Sequence, residues 1–233
     1  TASDNNSISN DRIKFIHRDS GNNVWIGTQK GMSFISGNSV SKSDPEIIHK
    51  YGDLSFTSVC ETTGEIWFGT EDKGIFSYDK LTGVTKMITV KTNPGFRSDG
   101  ITHLYHARTG AVIAGFRNNG LMITQNSGKE WHDVRFHSRN LDKIYEDRQD
   151  QLWLTAIEFG VTRLDPESLE ARYYILTPED KKSLTDLERP QFFEDTNNNL
   201  WLGLHGNGLG FYDRATDNFK FYKNDPEDPN TIS

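Results

Sequence analysis

The sequence predicts an all-β chain, a β-propeller with about five four-stranded blades present. Three observations predict it. One phrase recurs five times: VWIGTQKGM (24–32), IWFGTEDKGI (66–75), VIAGFRNNGL (112–121), LWLTAIEFGV (152–161) and LWLGLHGNGL (200–209). Its anchors, Trp25, Trp67, Ile113, Trp153 and Trp201, lie 42, 46, 40 and 48 residues apart, and a period of roughly 40–50 residues built from short apolar segments and glycine punctuation marks propeller blades. Three residues before the anchors stand Asn22, Gly64, Gly110, Asp150 and Asn198. All are residue types that tolerate positive φ, so each anchor strand is expected to follow a tight hairpin.

Each copy then reads as four strands. The innermost are IKFIH (13–17), FTSVCE (56–61), ITHLYH (101–106), LDKIYE (141–146) and PQFFE (190–194). The anchor phrase is the second strand, ending in a loop closed by Gly31, Gly74, Gly120, Gly160 or Gly208. The third reads SFIS, IFSYD, LMIT, VTRLD or GFYD; a variable fourth is visible as TKMITV, WHDVRF, ARYYIL and FKFYK. Blades are expected at about 10–50, 51–92, 97–137, 138–178 and 186–224, with 225–233 leading into a further blade. Runs that alternate or stay apolar suit sheets packed face to face, and the Trp anchors read as inter-blade core. Asp19, Asp147 and Asp195 sit six residues before three of the anchors, where a short carboxylate can bond turn amides.

The ends repeat a phrase as well. Asn6-Ser7-Ile8-Ser9 and Ser183-Leu184-Thr185 precede Trp25 and Trp201, and the final Asn230-Thr231-Ile232-Ser233 copies them. The chain therefore reads as a segment cut in phase from a longer propeller, with terminal blades that expose apolar faces.

Composition excludes several partners. With 26 Lys and Arg against 33 Asp and Glu, the net charge is −7; no basic stripe exists to neutralise nucleic-acid or membrane phosphates. No apolar run approaches a membrane span. The single cysteine, Cys60, cannot form an internal disulfide and reads as a buried strand residue.

Motifs that carry chemistry are missing: no phosphate loop, nucleophile elbow or metalloprotease helix occurs. His103 and His106 are three apart on a strand and face opposite sides, as do His132 and His137 by the same parity, so no metal or cofactor is expected. Of the twelve arginines, no three fall at matching blade positions as a sialidase-type site would require, and no catalytic residue is assigned.

The phrase [IVL]-W-[ILF]-G-T with its glycine-closed loop and F-Y-D or S-Y-D resembles the two-component regulator propeller repeat. The best matches are Ile66-Trp67-Phe68-Gly69-Thr70 through Ser77-Tyr78-Asp79, and Leu200-Trp201-Leu202-Gly203 through Phe211-Tyr212-Asp213. The resemblance spans essentially the whole chain; Ile113 in place of Trp and Thr155 in place of Gly depart from it. It implies the periplasmic sensor region of Bacteroidetes hybrid two-component histidine kinases, a parent propeller of about seven blades, a second propeller, and a homodimer responding to glycan-derived oligosaccharides. A separate stretch, Thr124 to Trp131 (TQNSGKEW), matches the Asp-box turn of sialidases and related propellers, a hairpin device that speaks for architecture and not for glycosidase chemistry.

In a propeller the second-to-third-strand loops and the inter-blade junctions ring one mouth, and variable loops on a rigid scaffold are where binding resides. On that rim the residues with planar polar or aromatic chemistry suited to sugars are Arg117, Asn118, Phe159, Glu158, His205, Arg189, Arg97 and Asp72. A ligand-sensing extracytoplasmic propeller is the expected function. The alternatives are a secreted propeller enzyme acting on glycans, lyase or hydrolase, and a protein-interaction propeller.

Overall fold

A computed structural model describes residues 7–40, 47–136, 138–156, 159–174, 190–204, 208–228 and 231–232, with backbone alone at His49 and Phe159. The described strands form five four-stranded antiparallel sheets, and no helix occurs among the described residues. The first sheet is β1 (Ile13–Arg18), β2 (Val24–Thr28), β3 (Met32–Ile35) and β4 (Ile47–Lys50). The second is β5 (Phe56–Glu61), β6 (Glu65–Thr70), β7 (Ile75–Asp79) and β8 (Thr85–Ile88). The third is β9 (Ile101–His106), β10 (Val112–Phe116), β11 (Leu121–Thr124) and β12 (His132–Asp133). The fourth is β13 (Lys143–Glu146), β14 (Leu152–Ala156), β15 (Phe159–Leu164) and β16 (Ala171–Tyr174). The fifth is β17 (Gln191–Glu194), β18 (Leu200–Leu204), β19 (Gly208–Asp213) and β20 (Asn218–Tyr222). Every sheet is a meander in chain order, the blade unit that the repeat predicts.

The backbone divides into two compact units, residues 1–106 with 110–132, and residues 107–109 with 133–233. In the first, β5 lies beside β1 and β9 beside β5. Trp25, 1% exposed, sits 4.5 Å from Phe34 on its own sheet and 5.2 Å from Phe68 and Tyr78 on the next. Trp67 is fully buried with Phe96, Phe116 and Ile101, and Trp131 leans on it at 6.1 Å. In the second unit Trp153 is fully buried against Phe192, Tyr212 and Phe219. An indole removed from water in this way contributes about 5 kcal/mol before entropic costs, taking about 200 Å² at 25 cal/mol per Å².

A buried indole N–H needs an acceptor, and a carboxylate supplies it in four blades. Trp25 Nε1 donates to Asp19 at 2.8 Å, Trp153 to Asp147 at 3.0 Å and Trp201 to Asp195 at 3.1 Å. The other oxygen of each Asp accepts turn amides: Asn23 at 2.9 Å, Gln149 and Gln151 at 2.9 and 3.0 Å, Asn197 and Asn199 at 2.8 and 2.9 Å. In the second blade Trp67 instead donates to Glu65, two residues before it, at 2.8 Å. In the third blade Ile113 needs no acceptor, and the Asp position is Ala107. Tryptophan and carboxylate are lost together.

The glutamates that end the inner strands latch one blade's hairpin to the next. Ser20 N donates to Glu61 at 3.0 Å, Arg108 N to Glu146 at 2.9 Å and Arg148 N to Glu194 at 2.9 Å. Asp79, Asp165 and Asp213, the last letter of the Y-D and L-D phrases, accept the amides of the following outer turns.

Several expectations are corrected. Gly64 does not adopt positive φ, whereas Asn22, Gly110, Asp150 and Asn198 do; without an Asp at its head the second hairpin closes one residue earlier, through Thr62 N to Glu65 O at 2.9 Å. Gly160 lies inside β15 and closes no turn. The outer strand expected at 131–136 shrinks to β12, because Trp131 turns inward onto Trp67 and Phe96. The first blade's outer strand is β4, for which no candidate was visible. Trp201 is only partly buried, unlike its three counterparts. One other expectation holds. Cys60 is buried in β5, its thiol pushed up to about 12 by burial. Exposed apolar side chains occur in several blades, among them Ile16 at 65%, Leu81 at 94% and Phe193 at 64%.

Gly74 tests the turn geometry. Its φ is +76°, and a Cβ there would fall 2.2 Å from Ile88 O, whereas Gly95, at φ +99°, has open space around it. Gly74→Ala is expected to destabilise by about 3 kcal/mol or more, and Gly95→Ala by only about 1–2 kcal/mol of backbone strain; equal losses in urea denaturation contradict this packing.

Acid should loosen the latches. Burial raises the Glu61 carboxyl, but hydrogen bonds from Ser20 and the bond and charge of Lys80 bring it down to about 2. Asp195 is likewise held at about 2, first by the Asn199 side chain. Folded values below the unfolded ones near 4 mean stabilisation fully present above about pH 4.5 and lost as pH falls through 2. Stability followed from about pH 6 to 2 should fall in that window, and Glu61→Gln should flatten the slope.

Candidate functional site

The described part of the predicted rim belongs to the first unit, at the edge where β2 turns into β3, β6 into β7 and β10 into β11. The main chain there is already spoken for. Gln29, Glu71 and Arg117 donate their amides to the carbonyls of Arg12, Ser55 and Gly100, the residues leading into the same blade, at 2.9, 2.9 and 3.1 Å. Gly31 and Gly74 donate to Leu54 and Asp99, which lead into the next blade, at 2.7 and 2.8 Å. Thr28 and Thr70 hydroxyls close the turns onto Gly31 O and Gly74 O at 2.7 and 2.8 Å. With these amides committed to the scaffold, recognition at this edge falls to side chains.

The sequence-predicted residues meet different fates. Arg117 reaches across to the neighbouring turn, its Nη2 donating to Glu71 Oε1 at 2.7 Å, with both side chains about half exposed. That contact, first of all, holds the Glu71 carboxyl below its ordinary range. Arg97 donates from Nη1 to Asn119 O at 2.7 Å and so braces the β10–β11 turn. Asn118 is exposed in that turn with φ +58°. Asp72 pairs with its neighbour Lys73 at 3.2 Å on an exposed tip, a contact worth under about 1 kcal/mol. The structure thus brings Arg117 to Glu71 and Arg97 to the turn that carries Asn118. Phe159 opens β15, and Glu158, Arg189 and His205 lie outside the described residues.

An opening on this edge lies beside other residues. A groove of 560 Å³ is lined by Asn10, Asp11, Arg12, Gln29, Lys30 and Asp53. Arg12 Nη1 donates to Gln29 Oε1 at 2.9 Å, and Asn10 Oδ1 accepts Arg12 N at 2.9 Å, fixing two amides and a guanidinium in one wall. Asp11 and Asp53 add carboxylates and Lys30 an ammonium, so the groove carries both signs of charge and no aromatic ring. Asn10 and Asp53 stand three residues before their inner strands, as Ser98 does beside Arg97 and Asp99 in the third blade. Applying that offset to every junction identifies them from sequence. No group of three His, Cys, Asp or Glu able to hold a metal is found among the described residues.

A scan of protein-family models gives no match, and a search of curated proteins gives none either. Solved structures do match. The chain is similar to the extracellular domain of a B. thetaiotaomicron protein described as a one-component system, with TM-score 0.65 and 19% identity over 97% of this chain and 32% of that one. It is similar to the extracellular domain of a hybrid two-component system from the same organism, with TM-score 0.62 and 18% identity over 96% of this chain and 30% of that one. The likeness is one of fold. Virginiamycin B lyase from Staphylococcus aureus also matches, with TM-score 0.61 and 18% identity over 93% of this chain and 72% of that one. The chain thus spans about a third of the length of the two extracellular domains. The repeat phrase and these neighbours agree on the propeller fold.

Proposed function

We propose that this chain is part of the extracytoplasmic, ligand-sensing region of a bacterial two-component signalling receptor, and that it binds a hydroxyl-rich ligand, an oligosaccharide, at the rim. The likeness to the extracellular domains of two bacterial signalling systems, one described as one-component and one as hybrid two-component, across nearly the whole chain carries the reading. Side-chain amides, guanidinium and carboxylates gathered in a groove, with the local main chain consumed by the scaffold, are the chemistry that matches pairs of sugar hydroxyls. The work of such a segment is differential binding between two arrangements of the receptor, with no bond made or broken. Further blades, a second propeller and a homodimeric parent in the periplasm complete the proposal.

A second reading, a secreted enzyme acting on glycans, has the fold likeness to virginiamycin B lyase in its favour. Calorimetric titration with an oligosaccharide panel, accompanied by product analysis, separates the two. The sensor reading expects saturable binding without turnover, weakened about tenfold, or 1.4 kcal/mol, by Lys30→Ala and by Arg117→Ala. Turnover of any panel member decides for the enzyme. Binding with unaltered affinity in both variants removes the site from the rim.

A further inference from the structure

The opposite edge of the second unit carries a recess that the rim reading does not use. It has a volume of 250 Å³ and is lined by Gln149, Gln151, Arg163, Tyr212 and Arg214, at the hairpin joining β13 to β14 and the facing strands β15 and β19. The Tyr212 ring has a guanidinium carbon on either hand, Arg163 at 5.9 Å and Arg214 at 5.7 Å from its centroid.

The two arginines are not equivalent. Arg214 is saturated: Nε bonds Asn198 O, and the two Nη atoms bond Asp147, Glu194 and Gln149. Arg163 spends only Nη1, on Asp217 at 2.7 Å and on the Tyr212 hydroxyl. Its Nε and Nη2 make no hydrogen bond among the described residues. Those two N–H groups form the side-on fork of a guanidinium, whose spacing matches both oxygens of a carboxylate. Asp217 also takes Arg172, Tyr174 and Tyr212, so it holds Arg163 in place without occupying the fork.

The glutamines leave complementary groups. Gln149 Oε1 accepts from Arg214 at 2.8 Å, and Gln151 Nε2 donates to Asp165 at 3.2 Å. Gln149 Nε2 and Gln151 Oε1 make no hydrogen bond among the described residues, one a donor and one an acceptor. Both glutamines also line an adjoining recess of 140 Å³ whose other walls include Asp150, Asp165 and Glu167. Asp150 is paired with Arg108 at 2.8 Å, and Asp165 is held below the ordinary carboxylate range, first by the Ser168 amide. The recess therefore offers a guanidinium fork at the Arg163 end and acceptors at the other.

We propose that this recess binds a small carboxylate carrying hydroxyl groups at its far end, of the size and chemistry of one sugar acid. The carboxylate takes the Arg163 fork, and the hydroxyls reach Gln149, Gln151 and the acceptors beyond them.

Titration calorimetry with D-glucuronate, D-glucose and inorganic phosphate tests this on the whole chain. Glucuronate should bind saturably, with glucose and phosphate each at least about tenfold weaker. Gln149→Glu keeps the acceptor for Arg214 but replaces the Nε2 donor offered to the ligand with an anionic oxygen, and should weaken glucuronate about tenfold or more in a protein that still folds. Arg163→Lys keeps the charge beside Asp217 but removes the fork, and should weaken glucuronate about tenfold or more. Absence of glucuronate binding, phosphate or glucose binding as tightly, or a folded Gln149→Glu protein with unaltered affinity each overturns the proposal. If Arg163→Lys proves unstable, Gln149→Glu alone decides.

Discussion

The structure depends on one recurrent arrangement, a carboxylate placed between a hairpin and an indole. One oxygen accepts the turn amides that fix the hairpin; the other accepts the N–H of the tryptophan that the hairpin delivers to the inter-blade core. Neither part is stable alone in a dry interior. A buried indole N–H without an acceptor costs its desolvation, and a buried carboxylate without donors costs more. Asp147 illustrates the second requirement: fully buried, it is met by the amides of Gln149 and Gln151, the indole of Trp153 and the guanidinium of Arg214. The blade hairpin and the core are thus one cooperative unit, which explains why the third blade drops both partners at once.

The same economy shapes the edge proposed to bind ligand. The β2–β3 and β6–β7 turns spend amides on the junctions on either side of them, and the β10–β11 turn on the junction of its own blade, which fixes these loops without presenting those amides to a ligand. Side chains then vary freely, and the described rim collects opposite charges and amides in place of an apolar patch. Arg117 and Glu71 tie adjacent turns at 2.7 Å while remaining half exposed, so a ligand competing for either would be felt across two blades. Under the proposed sensor function, this tie is the route by which binding at the rim would bias the arrangement of blades.

Much of this was legible in the residues. The period, the anchors and the left-handed turn residues foretold five meanders, and Asp19, Asp147 and Asp195 were recognisable as turn caps. The indole bond was not, because it requires knowing that a residue six positions back folds onto the same face. Gly64 misled because a glycine permits positive φ without demanding it, and the missing Asp had already shortened that hairpin. Trp131 misled because its Asp-box turn hands the ring inward, leaving β12 only two residues long. At the rim, residue chemistry pointed to Arg117 and Arg97, which brace loops, while the groove beside Asn10 and Asp53 depends on junction positions whose side chains look ordinary in sequence. The recess at Arg163 was invisible for a further reason: it turns on which guanidinium nitrogens are already engaged, a property of packing and not of residue type.

The most direct test is a double-mutant cycle on Asp147→Ala and Trp153→Phe, measured by chemical denaturation. If one carboxylate joins hairpin and core, the two losses must be strongly non-additive, with a coupling of about 1–3 kcal/mol. Additivity within about 0.3–0.5 kcal/mol contradicts the account, because it means that turn and indole are stabilised independently.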